Sequence, residues 1–111
     1  MVFRFINFKV YQDAKKFHHS VVLFTKDFPR EFLYLKDQVR RSSLSIVLQI
    51  AEGSAKRSDK DFNRYIEISL GSANETMAGL EISLLEKLIN SGDFVKLQHE
   101  CEEIVKQLGG F

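Results

Sequence analysis

The sequence predicts an all-α chain: an antiparallel up-down-up-down four-helix bundle with a short N-terminal arm. Three observations carry that prediction. Apolar residues recur at alternating three- and four-residue steps through four separate stretches, the mark of a helix with one buried face. No stretch beyond the arm alternates as a strand does. The connections between the periodic stretches are short and carry turn and capping residues, so consecutive helices are antiparallel neighbours. With 111 residues, 44% apolar and 28% charged, the chain is expected to form one globular domain over residues 1–111.

In the arm, residues 1–8, Phe3 and Phe5 alternate as an extended segment does, and the arm is expected to lie over the domain or a neighbouring subunit. A first helix over about 10–27 follows from Val10, Ala14, Phe17, Val21 and Phe24, and Pro29 stops it. A second, over about 31–55, follows from Phe32, Leu35, Val39, Ser42, Ile46 and Ile50. Its small residues Ser42, Ser43 and Ser45 favour close approach of a neighbouring helix over anion binding.

A third helix, over about 59–90, opens at Ser58-Asp59-Lys60-Asp61, a capping-box-like start whose acids suit the positive end of the helix. Phe62, Ile66, Ser69, Ala73, Met77, Leu80, Leu84 and Leu88 continue its stripe. Gly71 and Gly79 lie inside it; each costs up to about 1 kcal/mol relative to alanine, and close approach of another helix would justify both. Asn90-Ser91-Gly92-Asp93 reads as a turn. A fourth helix, over about 93–108, carries Phe94, Leu97, Cys101, Ile104 and Leu108 and ends at Gly109 and Gly110.

Composition removes several function classes. Cys101 is the only cysteine, so no internal disulfide or cysteine zinc cluster can form, and its place in the apolar stripe makes it a small buried hydrophobe. No apolar run approaches the ~18 residues of a membrane span. The N-terminus lacks the pattern of a signal peptide, which with the free thiol favours the cytoplasm. His18 and His19 are adjacent and point apart on a helix, and no helical Glu-x-x-His pair occurs, so no metal is expected. There is no phosphate-binding glycine loop and no strand-to-helix nucleophile elbow. Neither an enzyme nor a cofactor is expected.

The charge is more informative. The net value of +1 hides a basic first part and an acidic second part. Residues 1–64 hold 13 Lys and Arg against 7 Asp and Glu, while residues 65–111 hold 3 against 8. Such a split marks either a polyanion partner or two oppositely charged faces that meet. Arg40 and Arg41 are adjacent in the second helix. Lys56, Arg57, Lys60 and Arg64 gather around the start of the third, where backbone N–H groups also favour phosphate. Glu52 and Glu75 lie beside small residues, and each is expected to pair with Arg40, Arg41 or Arg64 as a structural ion pair.

The order of motifs resembles a known family. The aromatic arm FRFINFKVYQDA is followed by DFPREFLYLKDQVRRSSLSI and QIAEGSAKRSDKDFNRYIEISLGSANET. The chain resembles the four-helix bundle proteins encoded in intervening sequences of bacterial 23S ribosomal RNA genes, also called S23 ribosomal protein-like. It is also similar to the accessory variability proteins of diversity-generating retroelements. The most specific matches are Gln38 to Ser42, Ile50-Ala51-Glu52-Gly53, Ser58 to Phe62, and Gly71-Ser72 with Glu75. One departure is Gln49, where the family pattern has asparagine.

The resemblance implies a bundle that assembles as a ring, most often a homopentamer, and nucleic-acid binding by the retroelement relatives. The expected function is a non-enzymatic oligomer binding RNA or DNA, with Arg40, Arg41, Lys56, Arg57, Lys60 and Arg64 as phosphate contacts. The alternative is a protein-interaction scaffold whose basic residues pair with acids of a neighbouring subunit or partner protein.

Overall fold

In the computed structural model, which describes residues 2–110, four helices account for most of the chain. They are α1 (Lys9–Thr25), α2 (Leu33–Ser54), α3 (Asp59–Leu85) and α4 (Ser91–Gly109), with short 3-10 turns at Arg4–Asn7 and Arg30–Phe32. Among the described residues there is no strand. The helices form an antiparallel four-helix bundle of 44 × 22 × 22 Å. Each helix sends its apolar stripe to one core, which includes Phe17, Ile46, Leu80 and Ile104. The end that gathers the arm, the α2–α3 corner and the start of α1 is the one that matters for function.

The α2–α3 pair is the tightest joint, because small residues and hydroxyls line it. A Cβ on Gly79 would run into the Val39 side chain, so only glycine permits that approach. Along the same seam Ser45 Oγ lies 2.8 Å from Ser72 Oγ, and Ser69 Oγ donates to the Ile46 carbonyl at 3.0 Å. Gly71 behaves differently: it is exposed, and nothing lies within 4 Å of a Cβ placed there. The close approach expected at Gly71 is therefore absent, because the residue points away from every neighbouring helix.

Two segments depart from the periodic pattern. The arm is not extended. It coils into a 3-10 turn in which the Phe8 N–H donates to the Phe5 carbonyl at 2.9 Å. The third helix stops at Leu85, short of the expected Asn90. Lys87 adopts a left-handed conformation with φ of 63°. The Leu88 N–H then reaches back to the Ser83 carbonyl at 2.9 Å and the Lys87 N–H to the Leu84 carbonyl at 3.0 Å. That pair of bonds is a Schellman motif. The chain reverses there, and Leu88 and buried Ile89 seal the end of the core, so apolar periodicity ran on past the helix that carried it.

Candidate nucleic-acid interface

The α2–α3 corner is built by a glycine, a cap and an arginine. α2 ends at Ser54, whose carbonyl has no partner within its own helix. Arg4 supplies one from the arm: its Nε and Nη2 donate to the Ser54 carbonyl at 3.1 and 3.0 Å. Gly53 lets α3 press against this turn, since a Cβ there would sit 2.7 Å from Tyr65 Cβ and 3.0 Å from Phe62 Cδ1. Ser58 caps α3, its Oγ accepting from the Asp61 N–H at 3.1 Å.

Several cations at this end sit against aromatic rings, while Lys9 at the start of α1 pairs with Asp13 at 2.6 Å, and Lys60 and Arg64 share a surface pocket with Asp61 and Glu67. Arg4 lies 5.9 Å from the Phe8 ring and 5.8 Å from the Phe62 ring. Lys56 lies 5.1 Å and Arg64 5.7 Å from the Tyr65 ring. Lys15 lies 5.3 Å from the Tyr11 ring on α1. Arg57 and Lys60 are exposed. Among the described residues the ion pairs are Lys9–Asp13 and Lys106–Glu103, so none of the corner cations is neutralised by a direct carboxylate contact. An aromatic face holds a cation in place without cancelling its charge.

The six basic residues singled out in the sequence do not form one patch. Lys56, Arg57, Lys60 and Arg64 come together at the corner. Arg41 is exposed on the outer face of α2, about 20 Å up the helix from Ser54 at 1.5 Å per residue. Arg40 is occupied in the fold. Its Nε donates to Thr25 Oγ1 at 2.9 Å and its Nη2 to the Val22 carbonyl at 3.0 Å, which caps the C-terminal end of α1. The sequence reading missed Arg4. The Phe-Arg-Phe pattern of the arm was visible, but nothing in it tells that the arginine reaches a carbonyl 50 positions away.

The expected carboxylate–arginine pairs do not form. Glu52 is exposed and makes no ion pair, because it lies on the outer side of α2. Glu75 is exposed too, and its Oε1 accepts from Gln38 Nε2 at 2.8 Å. Of the other motif residues, Gly53, Ser58 and Ser72 hold the α2–α3 joint, while Gly71 faces solvent. Gln49 places its Oε1 in the interior without a hydrogen-bond partner among the described residues. Cys101 is buried, and burial, reinforced by Glu102, pushes its thiol up to about 11, so it stays protonated. Among the described residues no cluster of His, Cys, Asp or Glu is arranged to hold a metal ion. Among the described residues no helix is long and apolar enough to cross a membrane.

The family is decided by a match over residues 7–110 to the 23S rRNA-intervening sequence proteins. The chain belongs to that family. No curated protein matches it. Among solved structures it is similar to a protein with unknown function from the S23 ribosomal protein family of Bacteroides thetaiotaomicron. The two share 28% identity over 89% of this chain and 94% of the other, with a TM-score of 0.81. Membership in the 23S rRNA-intervening sequence family thus agrees with the four-helix bundle, and the match begins at residue 7, after most of the arm.

Proposed function

We propose that this family member is a non-enzymatic, cytoplasmic homo-oligomer that binds RNA or another nucleic acid through its basic corner. The observation that carries the reading is the gathering of Lys56, Arg57, Lys60 and Arg64 at the start of α3, with Arg4 beside them and, among the described residues, no carboxylate in direct contact with any of them. Such cations contact phosphates and give affinity without sequence preference. Arg41 is a separate, exposed contact, and Arg40 is left out because α1 already uses it. Several modest corners brought together in a ring, a pentamer being favoured, add up to one strong surface.

Assembly has its own support. The outer face of α2 exposes Leu33, Tyr34, Leu44 and Leu48 around Arg41. Between α3 and α4 runs an apolar groove of about 580 Å³ whose rim carries Glu81 and Glu102. An apolar ridge carrying Arg41 and Asp37, and an apolar groove carrying Glu81, Glu102 and Lys106 on a different face, suit a head-to-tail contact between copies, the kind that closes into rings. These same surfaces favour the second reading, a scaffold that binds a protein partner and no nucleic acid.

Titrating a structured RNA at several salt concentrations tests the first reading. Affinity should fall steeply as salt rises, and the doubly reversed variant Arg57→Glu/Lys60→Glu should lose binding while remaining assembled. Absence of binding at low salt, or binding indifferent to salt, refutes it. Loss of assembly in the reversed variant favours the scaffold. Light scattering that shows a stable monomer refutes the oligomer.

A further inference from the structure

At the corner end the aromatic residues are as concentrated as the cations, and the arm presents one of them to solvent. Phe3 is 61% exposed. Its ring meets Phe5 edge-on at 6.2 Å, and Phe5 meets Tyr11 edge-on at 4.9 Å, with Lys15 over Tyr11. The row therefore runs from a solvent-facing phenyl down the start of α1 and ends in a cation. Tyr65 on α3 repeats the theme, with Lys56 and Arg64 against its ring. Apart from Lys96 beside Phe24, the cation–ring contacts among the described residues lie at this end.

The arm is also fixed in place. Arg4 bonds the end of α2, and Gln12 Nε2 donates to the Ile6 carbonyl at 2.8 Å. An apolar ring held in water by a well-anchored segment has not been hidden by the fold, although Phe8, five residues on, is packed against the core. Phosphate contacts alone do not require such a ring. A duplex offers cations its phosphates but keeps its bases stacked inside. A single strand offers the same phosphates together with base faces that stack on aromatic side chains.

We propose that the arm and corner bind single-stranded nucleic acid, with Phe3 as a stacking platform for an unpaired base and Lys56, Arg57 and Lys60 holding the flanking phosphates. This rests on the nucleic-acid reading above and narrows its substrate class. Stacking of one base on an aromatic side chain changes affinity about five- to hundredfold. The ligand is recognised by base faces and phosphates, so no base identity is selected.

The chain has no tryptophan, so Phe3→Trp introduces a sole indole reporter at an exposed position. The protein is titrated at low salt with a short unstructured RNA, the same RNA annealed to its complement, and an abasic strand of equal length and charge. The single strand should bind about tenfold more tightly than the other two. It alone should quench the indole, and Phe3→Ala should abolish its advantage. Equal affinity for all three probes with unchanged indole emission overturns the single-strand inference and leaves the electrostatic reading standing. Failure of all three to bind at low salt takes both down.

Discussion

The two sides of α3 are packed by different means. Toward α2 the contact is made by Gly79, Ser69, Ser72 and Thr76, and helices lined this way come close enough for backbone and hydroxyl groups to meet. Thr76 Oγ1 lies 2.7 Å from Ser42 Oγ and 2.8 Å from the Ser72 carbonyl. Toward α4 the contact is made by Met77, Phe94, Cys101 and Val105, which leave the groove of about 580 Å³. Among the described residues the side-chain bond that crosses that side is the weak one from Cys101 Sγ to the Ala73 carbonyl at 4.0 Å. Small residues fix a register because nothing else fits. Large flexible ones fill space but tolerate change.

The largest effect that follows from this contrast is at Gly79. Gly79→Ala should destabilise by about 1 to 3 kcal/mol in urea unfolding, since overpacking the Val39 contact outweighs the gain in helix propensity. Val39→Ala should relieve much of that penalty in a double-mutant cycle. Independent, additive effects would show that the two helices can spread, and the tight-seam description would fail.

Next comes Thr76→Val, which keeps the shape of a side chain with no exposed surface but removes its hydroxyl. A loss of about 1 kcal/mol is expected, smaller than at Gly79 because Ser42 Oγ retains its bond to the Val39 carbonyl at 3.2 Å. Gly71→Ala supplies the opposite sign on the same helix. With open space around it, it should stabilise by about 0.5 to 1 kcal/mol. If Gly71→Ala destabilises instead, that face of α3 is covered in the assembled protein.

These two glycines also show what the sequence could and could not say. Periodicity placed the four helices, because burial of one face is written into the spacing of apolar residues. It treated Gly71 and Gly79 alike, because spacing records which residues are small and not which neighbour they face. The early end of α3 was hidden for a related reason. Leu88 and Ile89 are apolar for the core's sake, and only the left-handed Lys87 reveals that they reach it after a reversal. At the site, the corner cations were legible as a local cluster. Arg4 and the capping role of Arg40 were not, since both depend on contacts between distant segments.

The α1–α2 joint is a third case, polar like the α2–α3 seam but titratable. His18 Nδ1 lies 2.7 Å from Ser43 Oγ. Burial, then the charges of Arg40 and His19, hold His18 below its ordinary value of 6.5. The unfolded chain therefore binds the proton more readily than the folded one. Stability from this group is fully present above about pH 6.5 and is lost as pH falls through the folded-state value. Urea midpoints should drop between about pH 7.5 and 5.5, and His18→Gln should flatten that part of the slope. Equal slopes in the two proteins would assign the pH dependence elsewhere.

The smallest effect on stability is expected on the loose side of α3. Ala78 is exposed and lines the α3–α4 groove, so Ala78→Glu should change the unfolding free energy by no more than about 0.5 kcal/mol. Its effect on assembly should be large for the same reason that its effect on folding is small. The groove is not needed to complete the core of one chain, and its rim already carries Glu81 and Glu102. Another carboxylate there leaves the monomer intact but places an added charge against any apolar ridge that enters, although Lys106 also lines the groove. Light scattering should then show dissociation with an unchanged melting curve. An intact oligomer would remove the groove from the subunit contact and leave the α2 face to explain the exposed apolar surface.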